Sequence, residues 1–513
     1  MIVADQSAVI AFLADPRSHA LAGAAVERVT THCSMIFLVG ERAFKLKRAV
    51  KYSYLDYSTL DLRERFCRAE LAINRRTAPA LYLAVRAVTR ERSGGLAFDG
   101  AGEVLDWVVE MRRFDEGTLF DRLAEAGKLE GDTLRRLADA IAVFHEAADR
   151  MPDRGGSAAI ERTIATNNEN LRLAVPPLDL ATIDEARDAA RTHLARVAPL
   201  LDARRDDKKV RRCHGDLHLG NVCLVEGRPT LFDAIEFNDD FAGIDVLYDV
   251  AFLLMDLTAR RLPALAAIAM NRYLDRTGDD EGLPALPLFM SARAAIRAHV
   301  LGTLARSATG GDAARAGERA RTYLHLALAL LAPHPPRLLA IGGLSGSGKS
   351  TVAEALAGDF LPAPGARVIR SDVVRKRLAG VAAETRLPRE SYDLASAERV
   401  YDASREAARR ALAAGYSAIL DAAFLRPEER TAAAALARDL RVPFTGLWLE
   451  ASPEVLARRI EGRRADASDA DRAVLEQQFG YELGAIDWRR IDASGDVATT
   501  VERARQALSV STL

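Results

Sequence analysis

The sequence predicts a multidomain chain of α/β and α+β class, a two-lobed unit of strands followed by helices and then a parallel α/β unit. Three observations predict it. The loop His214-Gly215-Asp216-Leu217-His218-Leu219-Gly220-Asn221 lies in a helix-rich region that follows a strand-rich one. A glycine-rich loop, Gly343-Leu344-Ser345-Gly346-Ser347-Gly348-Lys349-Ser350, follows a compact apolar run. Between them, Ala332-Pro333-His334-Pro335-Pro336-Arg337 places three prolines in four positions, which stops a helix and stiffens the chain. Length agrees: 513 residues exceed what one hydrophobic core organises, and domains of roughly 100 to 200 residues suggest two or three units.

Composition narrows the partners. With 49% hydrophobic and 28% charged residues, the chain has an ordinary globular make-up. Formal net charge is -1, from 71 basic and 72 acidic residues, so no global field recruits nucleic acid or an anionic membrane. No apolar run approaches the roughly 20 residues of a membrane-spanning helix, and Met1-Ile2-Val3-Ala4-Asp5 lacks a signal-peptide pattern. The expectation is a soluble, cytoplasmic protein acting on small molecules, with no nucleic acid and no membrane as partner; the oligomeric state is not legible. Cys33, Cys67, Cys213 and Cys223 show no CxxC spacing, which favours buried or incidental thiols over a metal set.

The elements follow in order. Met35 to Val39 and Ala43 to Lys47 alternate around Gly40-Glu41-Arg42, which predicts a hairpin with two lysines on one face. Leu62, Phe66, Ala69 and Ile73 recur at helical spacing between Leu60 and Arg76. Val104 to Arg112 reads as a further strand. Thr118 to Asp149, Ile183 to Leu201 and Val246 to Leu331 are helical by period, while Val222 to Phe237 breaks into short strands. The run Arg204 to Lys209 reads as a solvated loop. The predicted domains are therefore 1–331, with an N-lobe to about 112 and a C-lobe from about 113, the linker 332–337, and 338–513.

Phosphoryl transfer to a hydroxyl requires a carboxylate near the attacking oxygen, metal ligands beside the phosphates and a cation on the nucleotide. Asp216 occupies the catalytic-base place, Asn221 reaches a metal from the far end of the same loop, and Asp233, ending a short strand, supplies a second ligand. The competing reading, that Asp216 and Asn221 only cap a turn, suits either residue alone but not eight contiguous motif positions. For the nucleotide cation, Ala43-Phe44-Lys45 fits a small-x-Lys pattern and Lys47 fits nearly as well, with Lys45 preferred. Glu70 is the partner carboxylate by spacing, ahead of Glu64. A glycine-rich phosphate loop is absent, and Thr30-Thr31-His32-Cys33-Ser34 stands in its place.

Residues 160 to 256 carry a resemblance to the aminoglycoside phosphotransferase-like kinases, a small-molecule branch of the protein-kinase fold whose loop reads HGDLHxGN. The resemblance implies a two-lobed kinase using ATP and Mg2+, with Asp245 and Asp249 bracing the catalytic loop and His214 structural. Antibiotic acceptors are polycations, for which Glu236, Asp239 and Asp240 would supply an acidic rim; an ordinary acidic surface loop is the alternative for these residues.

In the second unit, Gly343 to Ser350 satisfies GxxxxGK[ST] between a strand and a helix. The amides of Gly343, Ser345, Gly346, Ser347 and Gly348, with those of the helix start through Thr351, surround phosphates; Lys349 adds a charge and Ser350 a hydroxyl for magnesium. Ser417 to Asp421 is an apolar strand closing on a carboxylate, a second metal-side group. Arg458, Arg459, Arg463 and Arg464 crowd a helix and loop that could close as a lid, or else form a solvated face. This unit resembles the small P-loop kinases related to gluconate kinase, adenylate kinase and the zeta toxins. The resemblance implies Asp372 as base, Arg375 as acceptor ligand and Arg463 as lid residue on the nucleotide; a helix N-cap is the alternative for Asp372. The whole-chain order is similar to bacterial aminoglycoside phosphotransferase/ATP-binding fusion proteins. It implies a bifunctional, ATP-dependent kinase with two sites for small-molecule hydroxyl acceptors. The rivals are a P-loop switch controlling the first unit, and a pseudokinase scaffold fused to an active P-loop kinase.

Overall fold

Alternating residues in the first 112 positions build a six-stranded antiparallel sheet in the computed structural model, which describes residues 3–19, 25–52, 55–462, 467–469 and 471–509. Its strands are β1 (Val26–Thr30), β2 (Ser34–Val39), β3 (Arg42–Lys47), β4 (Tyr82–Arg90), β5 (Leu96–Phe98) and β6 (Glu103–Arg112), ordered β1-β2-β3-β6-β4-β5. The predicted hairpin of β2 and β3 forms, but its turn is one residue shorter than read: Arg42 opens β3 opposite Val39, which sets Phe37 opposite Phe44 and Ile36 opposite Lys45. One face buries Phe37, Val39, Phe44, Leu46, Val88 and Val108.

The helix Leu60–Asn74 covers the other face, capped by Thr59, whose hydroxyl accepts from the Leu62 amide. Its buried side differs from the predicted apolar stripe. Arg63, Cys67, Glu70, Ile73 and Asn74 face inward, and of the four predicted positions only Ile73 is buried. Ion pairing turns the helix: Arg63 meets Asp106 at 2.8 Å, and Glu70 meets two lysines. A hydrophobic period cannot register an inward face whose groups are polar and mutually satisfied.

After the helix Gly131–Ala147, two short antiparallel ladders frame the catalytic loop. They pair β7 (Val210–Arg212) with β10 (Gly243–Asp245), and β8 (Val222–Val225) with β9 (Arg228–Leu231). Arg204 does not lie in a solvated loop. It ends the helix Leu180–Asp206, is buried, and makes two hydrogen bonds to Asp245 at 2.7 and 2.8 Å.

By compactness the chain divides into residues 1–159 with 202–253, and residues 160–201 with 254–513. The second unit holds a five-stranded parallel sheet, ordered β12-β13-β11-β14-β15, of β11 (Leu338–Gly343), β12 (Arg367–Arg370), β13 (Ala418–Asp421), β14 (Phe444–Glu450) and β15 (Arg489–Asp492). All six residues of β11 are buried, as a central parallel strand covered on both faces requires.

This unit does not begin at the proline-rich segment 332–337. Ala267, on the helix Pro263–Thr277, belongs to the same core as Leu339, Ile341, Val352, Leu356 and Val368. Arg367 of β12 is buried and reaches back to Asp280 at 2.6 Å, Asp275 at 2.8 Å and the Asn271 amide oxygen at 3.1 Å. A guanidinium removed from water needs such partners, and these lie upstream of the prolines. Among the described residues no helix is long and apolar enough to cross a membrane.

Candidate active sites

Residues two apart on a strand share a face, so β3 presents Lys45 and Lys47 together to the helix Leu60–Asn74. Both reach Glu70. The Lys45 ammonium lies 2.8 Å from Glu70 Oε1 and 2.5 Å from Asp233 Oδ1, while Lys47 lies 2.5 Å from Glu70 Oε2 and 2.5 Å from Glu236 Oε1. Burial pushes the Glu70 carboxyl up, but Lys45 and then Lys47 outweigh it and hold the group down at about 2. The Lys45 side chain keeps 12% exposure beside Asp233, whereas Lys47 keeps 1%. The Lys47 ammonium is enclosed by Glu70, Glu236 and Tyr57, so the geometry favours Lys45 over Lys47 as the nucleotide cation. Glu64 is on the outer side of the helix, paired with Arg68.

The catalytic loop is shaped from beneath by Asp249, which is fully buried. Its carboxylate accepts the His214 amide at 3.0 Å and the Gly215 amide at 2.8 Å, and lies 3.1 Å from His145 Nε2. Gly215 has φ 84°, and a Cβ there would meet the Phe241 carbonyl at 2.9 Å, so this turn requires glycine. His214 Nε2 lies 2.9 Å from the Phe232 carbonyl, and burial moves this imidazole below its ordinary pKa. His218 turns inward, accepting the Gly220 amide at 3.0 Å. Asp245 braces Arg204 rather than the loop.

Above this base, the Asn221 amide donates to the Asp216 carbonyl at 2.9 Å and to its carboxylate at 3.0 Å. Asp216 and Asp233 keep side-chain exposures of 40% and 43%. Lys45, Glu70 and Asp233 thus form one cluster, and Asp216 with Asn221 another on the loop that Ile235 joins through the His214 carbonyl at 2.9 Å. The Asp233 carboxylate and the Asn221 Oδ1 are hard oxygen donors, of the kind a small divalent cation takes. The β1–β2 turn stands where a glycine loop was missing, and Arg48 donates to the carbonyls of Thr31 and His32 at 2.9 and 3.2 Å.

In the second unit the glycine-rich loop joins β11 to the helix Lys349–Ala357. Gly346 has φ 83°, and a Cβ there would lie 2.6 Å from the Leu456 carbonyl. The Lys349 ammonium donates to the carbonyls of Gly343 and Leu344 at 2.9 Å each. Ser350 donates to Asp421 at 2.6 Å, joining the two groups read as metal-side residues. Burial raises the Asp421 carboxyl above its usual range, against the pull of Arg370 and Lys349. Ser347 is buried and Thr351 exposed.

Asp372 lies in the first turn of the helix Ser371–Leu378, but Arg370 holds the N-cap position and no side chain caps the helix there. Arg375 donates to the Ser391 carbonyl at 2.8 Å and lies 4.6 Å from the Tyr392 ring centre, and its buried Nε has no partner among the described residues. Arg463 lies outside the described residues. Sequence reasoning missed four residues here. Asp469 accepts from Tyr392 at 2.5 Å and also from Lys376, and Gln478 accepts the Ser345 amide at 2.8 Å. No motif spacing marks them, because they meet only in the fold.

Residues 61–286 match the Phosphotransferase enzyme family, and residues 338–481 match an AAA domain family, starting directly after the proline-rich segment. Over 486 residues the chain is 30% identical to uncharacterized protein Rv2004c of Mycobacterium tuberculosis (strain ATCC 25618 / H37Rv), covering 92% of this chain and 93% of that protein. The chain belongs to that family. It is a fusion of a phosphotransferase domain and a P-loop kinase domain, and it is an ATP-dependent phosphotransferase. Kinases of these families use ATP with a divalent metal. The fusion also shares 31% identity over 193 residues with the thymidylate kinase of Synechococcus sp. (strain RCC307), covering 31% of this chain and 88% of that enzyme. A choline/ethanolamine kinase family protein from Mesorhizobium loti overlays with a TM-score of 0.38 at 15% identity, covering 63% of this chain and 98% of that chain.

Proposed function

We propose that the fusion carries two phosphoryl-transfer sites, each moving the γ-phosphate of ATP to a hydroxyl of a small-molecule acceptor, in the cytoplasm where ATP is supplied. The observation that carries the first site is the joining of Lys45, Glu70 and Asp233, beside a loop that presents Asp216 and Asn221. Lys45 neutralises phosphate oxygens. Asp216 takes the acceptor hydroxyl's proton as that oxygen bonds to the γ-phosphorus, and the bond to the bridging oxygen breaks to release ADP. Asn221 and Asp233 would hold Mg2+, which supplies charge neutralisation on the phosphates when bound.

At the second site Lys349 and the loop amides bind phosphates, Ser350 and Asp421 form the magnesium side, Asp372 is the base and Arg375 the acceptor ligand. Its unpartnered Nε supports that role. The deciding experiment is transfer of labelled phosphate from ATP across a metabolite library, run on Asp216→Asn and Asp372→Asn separately. Each variant is expected to lose one set of products and retain the other; loss of no product in either refutes two-site transfer by these bases.

One observation favours a second reading, in which the P-loop unit is a nucleotide-dependent switch. Gln478 occupies the Ser345 amide that a phosphate oxygen would take, so nucleotide would displace this side chain, which the helix Arg472–Phe479 carries. ATP binding that alters first-site turnover, with no acceptor phosphorylated at the second, would support it.

A further inference from the structure

Lys47 and Glu236 form a buried ion pair that the phosphoryl-transfer chemistry does not use, with side-chain exposures of 1% and 5%. Replacing such a buried pair by apolar side chains of equal volume is often neutral or stabilising, so stability alone gives weak reason for it. Its geometry suggests another. Lys47 bonds to Glu70 Oε2 and Glu236 Oε1 at 2.5 Å each, and the Tyr57 hydroxyl donates to Glu236 Oε1 at 2.6 Å. Lys45 bridges the other oxygen of Glu70 to Asp233. Charge alternates along Asp233, Lys45, Glu70, Lys47 and Glu236, and both ends of that circuit belong to the single segment 233–236.

The backbone between those ends is pinned as well. The Asp233 amide donates to the Tyr82 hydroxyl at 3.1 Å and the Ala234 amide to Asn74 Oδ1 at 2.9 Å. Asp233 has φ 62°, a left-handed conformation that aspartate adopts more readily than most residues and that the hydrogen bonds from the Asp233 and Ala234 amides help to fix.

We infer that Lys47, Glu236 and Tyr57 are positioning residues, a buried strut that holds Asp233 in its ligating conformation before nucleotide arrives. The inference rests on the reading of Asp233 as a metal ligand. Second-layer partners of this kind govern metal affinity by about 10- to 100-fold. A residue that only filled the core would change unfolding without changing the metal.

The test uses the full chain with the second site silenced by Lys349→Ala together with Ser350→Ala and Asp421→Asn, which removes its metal-side groups, and Mn2+ as the spectroscopic probe at saturating ATP. Lys47→Met alone leaves Glu236 buried without its cation and endangers folding. The charge-neutral pair Lys47→Met/Glu236→Gln and the mild Tyr57→Phe avoid that. Asp233→Asn is expected to lose the bound Mn2+. The pair is expected to weaken Mn2+ by about 10-fold or more and Tyr57→Phe by less, while ATP affinity without metal stays near that of the parent. Wild-type Mn2+ affinity in the folded pair, with Asp233→Asn defective, overturns the strut and leaves the metal reading standing. Should the pair not fold, Tyr57→Phe decides on the same comparison, and unchanged affinity there overturns the strut. Undiminished Mn2+ binding in Asp233→Asn removes the metal reading and the strut together.

Discussion

Asp280→Ala should destabilise the second unit without touching either phosphate site. Arg367 is fully buried in β12, and Asp280 supplies its shortest contact at 2.6 Å, with Asp275 at 2.8 Å and Asn271 at 3.1 Å remaining. Removing one partner of a buried ion pair costs about 3 to 5 kcal/mol, and the surviving partners put this case near about 3 kcal/mol. With a urea slope of about 3 kcal/mol/M, the midpoint falls by about 1 M. The chain has three tryptophans, of which Trp448 and Trp488 pack in the P-loop unit, so a Trp107→Phe background makes fluorescence report this unit alone. Arg367→Met/Asp280→Leu should recover most of the loss, because it removes both charges. The same contacts predict that a fragment beginning at Arg337, lacking Asn271, Asp275 and Asp280, melts well below the full chain. A midpoint shift in Asp280→Ala below about 0.3 M, or a fragment as stable as the parent, refutes the reasoning.

Burial pushes the Asp280 carboxyl up, but Arg367 and Arg377 outweigh it and hold the group below its usual range. Its contribution is thus present above about pH 4 and lost as pH falls through the lower folded value, so acid melts of the Asp280→Ala variant should converge on the parent. Lys45→Ala should raise the first-site KM for ATP, measured by steady-state kinetics, whereas Glu64→Ala should leave it unchanged. Asp249→Ala removes the acceptor of two loop amides from a dry site and should lower the unfolding free energy of the first unit by about 3 kcal/mol in denaturant titration, with first-site turnover falling too.

Much of both sites was legible because their chemistry is local in sequence. Asp216 and Asn221 share one loop, and Gly343 to Ser350 is one contiguous turn whose positive-φ glycines only that pattern supplies. The hairpin bearing Lys45 and the strand ending at Asp421 followed from alternation and apolar runs. What escaped was long-range and polar. The choice between Lys45 and Lys47 depends on a burial difference across one strand face, set by Glu236 far downstream. The inward face of the helix Leu60–Asn74 carries Arg63, Glu70 and Asn74, which a hydrophobic period assigns to solvent. The join at 332–337 was read from backbone stiffness, while the core that crosses it rests on Ala267 and Asp280, residues without a motif.

Burial also bears on the acceptor. Recognition of a polycation requires carboxylates whose charge is not already spent, since a matched pair offers a second cation only the residue of its field. Asp239 pairs with Arg212 at 2.6 Å, Asp240 pairs with Arg154, and Glu236 is enclosed with Lys47 and Tyr57. The three acids that suggested an antibiotic-binding rim are thus compensated by neighbours. A cationic acceptor would share two of them with arginines already seated there. The catalytic loop and the acidic segment therefore support different conclusions: the loop belongs to a phosphotransferase, while the segment, paired with its own neighbours, gives no specific argument for a polycationic substrate.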